Sequence, residues 1–259
     1  MDIKSRHQYI LEQLSKDGYV RVVDLAEKLK VTGATIRKDL TVLESRNLLR
    51  RTHGSASPVR SNVVDLHVQE KSSLNADKKL AIAMAACELI EEDDSILLTS
   101  GSTIEAFARA IQPKGMLNVV TPSLRVGIFL SEKENTNIMM LGGRLVVKSL
   151  SVRDAYTEQG LKYVRCNKAF FSCDGFDFDG GVTTAFVAEA RVTDSMLNVA
   201  SEVILLADST KLGKNGFGKI CDMSRVDTLI TDSGLPQSMR KKFEDEGVRV
   251  VIAKSAGLH

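Results

Sequence analysis

The 259 residues predict an α/β protein in two parts, a small head and a larger domain built on a mostly parallel sheet. Three features of the chain predict it. Residues 1–60 carry twelve Lys and Arg against seven Asp and Glu, whereas the remainder carries 23 against 26, so a basic head precedes a mildly acidic body. Apolar residues in the head recur at helical spacing. From about residue 95 onward, short continuous apolar runs alternate with helical stretches, the pattern of strands buried on both faces. The boundaries fall at 1–57 for the head, 58–75 for a linker without sustained periodicity, and 76–259 for the α/β domain.

The head opens with an amphipathic helix over about residues 2–16, with Ile3, Ile10, Leu11 and Leu14 on one side and Asp17-Gly18 as its stop. Residues 19–22 are a short extended piece, 24–29 a two-turn helix, and Lys30-Val31 a turn. Thr32 is placed to N-cap the next helix, about residues 32–46, its side-chain oxygen taking a free amide. In that helix Ile36, Leu40 and Leu43 make one buried stripe, and the opposite side carries Ala34, Thr35, Arg37, Lys38 and Thr41. Helix, short helix, tight turn and longer helix form a helix-turn-helix. Residues 48–54 follow as a basic hairpin, the wing of a winged variant, with arginines suited to flanking phosphates. A helix that fits a major groove, with short and cationic groups outward, suits contact with base edges and phosphates. The candidate DNA-contacting residues are Thr32, Ala34, Thr35, Arg37, Lys38, Thr41, Arg50, Arg51 and His53. On the residues alone, an ordinary solvated helix face is the alternative.

The second part begins with a helix over about 76–91. Strands are then expected at 95–99, 118–121, 137–141, 168–173, 203–207, 228–231 and 248–253. Helices are expected between them at 103–111, 124–131, 155–163, 188–200 and 237–246. In open parallel sheets, ligands collect at the carboxyl ends of the strands. Small polar residues follow the strands here, as in Thr99-Ser-Gly-Ser-Thr103, Thr121-Pro-Ser123, Gly142-Gly-Arg144, Cys173-Asp-Gly175 and Asp208-Ser-Thr-Lys211. Ordinary turn chemistry uses the same residues.

Gly101-Ser102-Thr103 is the sharpest of these, because it joins a buried strand to a helix start where free amides and the helix dipole favour an anion. Lys211 and Arg144 could neutralise a phosphate or carboxylate, and Asp174 suits sugar hydroxyls. Glu189 is either a second carboxylate of the site or a first-turn glutamate that complements its helix dipole. The candidate ligand set is Gly101, Ser102, Thr103, Thr121, Ser123, Gly142, Gly143, Arg144, Asp174, Glu189, Asp208 and Lys211. No Walker loop occurs, and the glycines at 213, 216 and 218 lack the spacing and the preceding strand of a dinucleotide fingerprint. Asp174, Asp177 and Asp179 lack the length and ligand register of an EF-hand. No metal site, no cofactor and no catalytic residue is expected.

The run Val20-x-Val22-x-x-Leu25-Ala26-x-x-Leu29-x-Val31-Thr32-x-x-Thr35-Ile36-Arg37-Lys38-Asp39-Leu40-x-x-Leu43-Glu44, closing in Arg51-x-His53-Gly54, resembles the DNA-binding head of DeoR-family transcriptional regulators. Gly101-Ser102-Thr103, the Thr121-x-Ser123 turn, Leu141-Gly142-Gly143 and Ala207-Asp208-Ser209-x-Lys211 resemble that family's effector domain. Departures from the family pattern are visible. Lys38 and Ser55 replace an arginine and a glycine, Pro122 replaces an asparagine, and Arg153 stands near a position that is often glycine. The resemblance implies a C-terminal fold like the ribose-5-phosphate isomerase and CoA-transferase group, a phosphorylated sugar as effector, and a homo-oligomer, dimer or tetramer.

The expected function is therefore a sequence-specific regulator of double-stranded operator DNA. It is expected to repress carbohydrate catabolism genes under control of a phosphorylated sugar, and not to be an enzyme. A sugar-phosphate isomerase with an appended DNA-binding head is the alternative. No run approaches the ~20 apolar residues of a membrane span. The first residues lack a secretory apolar core, and the four cysteines are scattered without metal spacing, so the protein is expected in the cytoplasm, with no membrane partner.

Overall fold

The computed structural model describes residues 3–17, 19–45, 49–52, 54–57 and 67–254. Contacts divide the chain into two units, residues 1–61 and 62–259. In the first, the elements run α1 (Ile3–Asp17), β1 (Val20–Arg21), α2 (Val22–Leu29) and α3 (Gly33–Ser45), then β2 (Arg50–Thr52) and β3 (Ser55–Ser57). Ile10 and Leu14 of α1, Val22 and Leu25 of α2, and Ile36, Leu40 and Leu43 of α3 form the core. Lys30 ends α2 in the left-handed region (φ 52°), with its amide turned back onto the carbonyls of the last turn. Thr32 Oγ1 accepts the Thr35 amide at 3.2 Å and so starts α3. The hairpin of β2 and β3 is the wing, and β3 also pairs with β1, giving an antiparallel sheet ordered β1-β3-β2.

A buried carboxylate ties this unit together. Asp39 of α3 is 5% exposed and takes Arg6 Nε at 2.5 Å, Arg6 Nη2 at 3.0 Å and His7 Nε2 at 3.1 Å, both partners lying on α1. Burial alone would raise this carboxyl, but Arg6 and His7 outweigh it and hold it below the usual carboxylate range.

The second unit starts earlier than the sequence suggests. Within the expected linker, Val68–Ser73 is a helix, α4, with Val68 buried and its amide donating to the Lys148 carbonyl at 3.2 Å. One turn and a half with a single buried apolar residue leaves no periodicity to detect. Then come α5 (Ala76–Cys87), β4 (Ser95–Leu98), α6 (Ser102–Ala110), β5 (Leu117–Thr121), α7 (Leu124–Ser131) and β6 (Thr136–Met140). A small hairpin of β7 (Leu145–Val146) and β8 (Ser151–Val152) leads to α8 (Ala155–Gly160) and β9 (Cys166–Phe171). After it run β10 (Gly175–Asp177), β11 (Gly181–Thr184), α9 (Val187–Leu197), β12 (Ala200–Leu206), β13 (Gly218–Cys221), β14 (Thr228–Asp232), α10 (Gln237–Asp245) and β15 (Arg249–Ala253).

Seven of these strands form one parallel sheet in the order β15-β14-β12-β9-β4-β5-β6. Alternate residues face opposite layers. Ile96, Leu98, Phe170, Ile204, Leu206 and Ile230 pack with Ile82, Phe107 and Val126 from α5, α6 and α7. Leu97, Phe171, Leu205, Leu229 and Val250 pack with Met196 of α9 and Phe243 of α10. Full burial of each such side chain contributes about 1.5–3 kcal/mol, which is why runs apolar on both faces mark these strands so plainly. The sequence reading lacked β10, β11 and β13, which form a separate antiparallel sheet in the order β10-β11-β13. They are three or four residues long and rich in Gly, Asp and Thr, so turn composition masks them.

Asp39→Ala removes the buried acceptor that Arg6 and His7 share and is expected to cost the head about 3 kcal/mol. Because folding depresses the Asp39 pKa, its contribution is complete above the unfolded carboxylate value of ~3.9 and is lost as pH falls from there through the folded value. Hydrogen exchange of the α3 amides in wild type and variant, above and below that range, checks both statements. Equal protection of the two proteins at neutral pH would refute them.

Candidate functional site

Burial of Ile36, Leu40 and Leu43 fixes which side of α3 is outward. Ala34, Arg37, Lys38 and Thr41 are exposed, as is Thr32 just before the helix, and Thr35 is half-buried. Thr35 Oγ1 lies 2.9 Å from Thr32 Oγ1, so these two hydroxyls serve the cap. Thr41 Oγ1 donates to the Arg37 carbonyl at 2.8 Å and accepts from Arg51 Nη1. The Arg51 amide donates to Glu44 Oε1 at 2.9 Å. The wing arginine is thereby seated against α3, and the cations and hydroxyls of helix and wing form one surface. Arg50 lies in β2, with its side chain outside the described residues, and His53 falls outside them altogether.

In the second unit, strand order positions the site. The chain enters the sheet at β4, winds outward through β5 and β6, and returns to β9 on the other side of β4 before continuing through β12, β14 and β15. Beyond the carboxyl ends of β4 and β9, connections leave in opposite directions and a crevice opens. A cleft of about 50 Å³ lies there, walled by residues 100–103 after β4 and 172–174 after β9. Thr184, Glu189, Lys211, Lys71 and Lys79 complete its lining.

Gly101 shapes one wall. Its φ of +120° suits glycine, and a Cβ there would stand 2.6 Å from Ser172 Oγ. Ser172 Oγ in turn donates to the Ser100 carbonyl at 3.2 Å, locking the two strand ends together. No side chain caps α6, so the first-turn amides that follow Gly101 keep their donor capacity at the positive end of the helix dipole. On the far side of the sheet end, α6 is held to α7 by buried Glu105, 3.0 Å from Arg125.

The rest of the lining is charged. Asp174 accepts Lys71 Nζ at 2.7 Å, and Thr184 Oγ1 and the Ala185 amide each at 3.1 Å. Burial alone would raise its carboxyl, but Lys71, then Lys211 and the Ala185 amide, hold it below the usual range. Glu189, in the first turn of α9, accepts Arg153 Nη1 at 2.7 Å, while desolvation pushes its carboxyl above the usual range against that cation. Arg153 thus has a partner that the sequence did not suggest. Lys79 is buried, and its Nζ donates to the carbonyls of Lys71 and Leu74. Burial lowers its pKa, Asp208 pulls the other way, and Lys211 and Lys71 add to the lowering. Burial also pushes the Cys173 thiol up, so it lines the cleft as a neutral group.

Of the residues expected in the site, Gly101, Ser102, Thr103, Asp174, Glu189 and Lys211 come together here. The others stand apart from its lining. Thr121 and Ser123 are fully buried after β5, Thr121 Oγ1 taking the Ser123 amide and Ser123 capping α7. Gly142, Gly143 and Arg144 follow the edge strand β6, where the Gly142 carbonyl accepts Thr157 Oγ1 and the Arg144 amide donates to Asp154. Asp208 lies beneath the wall, capping the turn that carries Lys211 and taking Asn75 Nδ2 at 3.2 Å. These are turn and cap roles; the ends of β5 and β6 lie away from the crevice, whereas Asp208 shares with Lys211 the end of β12 beside it. Sequence reasoning missed Lys71, Lys79, Ser172 and Thr184. A lysine in an apparent linker and another on a helix carry no local signal of the carboxylates they meet.

Among the described residues, no group of His, Cys, Asp and Glu could hold a metal ion. No helix among them is long and apolar enough to cross a membrane. What the geometry offers is three lysine side chains and a helix start against two carboxylates, which suits binding an anion that also bears hydroxyl groups.

Comparison with known proteins matches both units. The family described as the DeoR-like helix-turn-helix domain matches residues 6–62, and the DeoR C terminal sensor domain matches residues 74–233. The uncharacterized HTH-type transcriptional regulator YulB of Bacillus subtilis (strain 168) is 36% identical over 250 residues, covering 96% of this chain and 96% of that one. The lactose phosphotransferase system repressor of Streptococcus mutans serotype c is 36% identical over 235 residues, covering 88% of this chain and 92% of the relative. Among solved structures, ribose 5-phosphate isomerase A of Methanocaldococcus jannaschii is similar over 53% of this chain and 55% of that chain, with a TM-score of 0.39 and 17% identity. The alternative of an isomerase with an appended head is set aside by the matches over the whole length. With a helix-turn-helix head, a sensor domain and relatives of the same extent, the chain belongs to the DeoR family of transcriptional regulators.

Proposed function

We propose that this regulator represses carbohydrate catabolism genes and that a phosphorylated sugar in the cleft of the second unit sets its affinity for operator DNA. The observation that carries the reading is the uncapped start of α6, with Gly101 at φ +120°, in one cleft lining with Lys71, Lys79 and Lys211. The phosphate takes the first-turn amides with Ser102 and Thr103, and Lys211 supplies counter-charge. Asp174 and Glu189 accept the sugar hydroxyls. Likeness to a lactose phosphotransferase system repressor supports repression as the sense of control.

On the head, Arg37 and Lys38 with Thr32, Ala34, Thr35 and Thr41 face base edges, and Arg50, Arg51 and His53 face the flanking backbone. The protein acts as a homo-oligomer, dimer or tetramer, in the cytoplasm, so that two heads engage half-sites separated by whole helical turns. Ligand binding controls the DNA affinity only to the extent that it favours one state of the oligomer over another.

Two experiments test this function. Arg37→Ala, at an exposed position, should leave the melting temperature unchanged and reduce affinity for a DNA fragment selected by the wild type by about tenfold or more, the weight of a lost base contact. Arg51→Ala should weaken binding across sequences and lower the salt slope by about one. Normal selected-site binding by Arg37→Ala would move the recognition surface elsewhere.

For the cleft, thermal shift with a panel of pentose and hexose phosphates should find at least one that stabilises the wild type, by about 2.7 kcal/mol at a hundredfold excess over its Kd. The same sugars without phosphate should have no effect. Gly101→Ala should lower stability by about 1–3 kcal/mol through its strained φ and abolish that shift. A panel that leaves the wild type unmoved would sink the sensing role.

A further inference from the structure

The two matched domains leave a gap, residues 63–73, and α4 lies in it. This helix is the first described element after the segment that follows the head, yet it forms part of the wall of the cleft. Lys71 is the reason. Its Nζ reaches Asp174, 103 residues away, at 2.7 Å, with the lysine side chain 22% and the aspartate 10% exposed. Its carbonyl meanwhile accepts Lys79 Nζ, as does that of Leu74. One residue therefore holds α4 to the cleft through its side chain and to α5 through its backbone.

The partners of Lys71 are unequal in what they need. Asp174 keeps Thr184 Oγ1 and the Ala185 amide if Lys71 leaves, and the field of Lys211 remains. Glu189, the other carboxylate in the lining, already has Arg153. Lys79 is committed to two carbonyls. Of the two lining lysines that hold α4 in place, Lys71 is thus the one that can be drawn away at less cost, and an entering dianion attracts it more strongly than a carboxylate that is already well hydrogen-bonded.

We infer that Lys71 is the positioning residue that carries cleft occupancy to the segment leading to the head: an anionic group in the cleft draws Lys71 from Asp174, and α4 loosens. This rests on the anion-binding reading of the cleft given above. The hold of Lys79 on the carbonyls of Lys71 and Leu74 keeps the C-terminal end of α4 in place, so the change is felt at its N-terminal end, where Val68 meets the Lys148 carbonyl. Occupancy and coupling then share one side chain.

The test uses the full chain with inorganic phosphate at ~10 mM as the probe, a concentration at which millimolar affinity registers by mass action. Calorimetry reads binding, and hydrogen exchange reads the amides of α4, with those of α10 as an internal reference. In the wild type, phosphate should bind and speed α4 exchange by about tenfold, with α10 unchanged. Lys71→Met, which keeps the apolar stem, should exchange rapidly in α4 with or without phosphate. Lys71→Arg should restore both the slow exchange and its response.

Three results would overturn the inference. If phosphate binds and α4 exchange stays the same in the wild type, the coupling is wrong while the cleft reading stands. If Lys71→Met still responds to phosphate as the wild type does, Lys71 is not the coupling residue. If phosphate fails to bind the wild type, the anion-binding reading falls and the inference falls with it.

Discussion

The architecture of the second unit depends on the reversal of winding between β4 and β9. The two are hydrogen-bonded neighbours in the middle of a parallel sheet, yet the chain leaves one toward β5 and the other toward β12. That reversal prevents the connections after β4 and β9 from covering one another, and the gap is where a ligand can meet backbone amides without displacing any core residue. Everything built around the gap keeps it narrow and polar. Ser172 bonds to the Ser100 carbonyl, and Gly101 removes the Cβ that would collide with it. Buried Glu105 and Arg125 brace α6 against α7. Because Phe107 of α6 packs on Phe170 of β9 at 4.7 Å between ring centroids, the helix start and the strand end move together if they move at all.

The head answers a different constraint, which is to hold one helix with its polar face fully outward. Apolar packing of Ile36, Leu40 and Leu43 accomplishes most of this, but a stripe of three residues tolerates some rotation about the helix axis. Asp39 removes that tolerance. Its carboxylate sits between Arg6 and His7 of α1 and can satisfy both only at one rotation of α3. The same residue sets the orientation of Arg37 and Lys38, which precede it, so a charge within the core fixes the placement of charges outside it. The wing adds a second restraint, since Arg51 binds Thr41 by its side chain and Glu44 by its amide.

Much of the fold was legible in the chain because the physics is local or strongly periodic. Runs such as Ile96–Leu98 and Ile204–Leu206 are apolar at every position, and only a strand covered on both faces has use for that. Thr32 at its cap and the Ile36, Leu40, Leu43 stripe likewise announce α3 and its orientation. The cleft was half legible. Gly101-Ser102-Thr103, Asp174 and Lys211 follow strands, and strand ends could be read. Which ends would converge could not, because that depends on the strand order, and the reversal falls between β4 and β9 instead of at β5 or β6. Thr121, Ser123 and the Gly142–Arg144 turn have the composition of ligand loops and serve as caps and turns. Lys71 shows the opposite failure, a site residue in a segment whose six-residue helix has too little apolar surface to be noticed.

The charge of the cleft links these two observations. Lys71 and Lys79 come from outside the sheet altogether, and without them the lining would hold Lys211 alone against Asp174 and Glu189. Glu189 is already paired with Arg153, so Lys211 would be left to balance Asp174 with no positive charge in excess. The two added lysines supply that excess, and both come from the short stretch 71–79, one from α4 and one from α5. On the proposed reading of the cleft, its affinity for an anion then comes in part from the segment nearest the head in sequence. A ligand that draws on Lys71 would act on the segment that supplies it. In a fold whose sheet is closed by buried apolar side chains on both faces, that charged margin is where binding would be converted into movement at small cost.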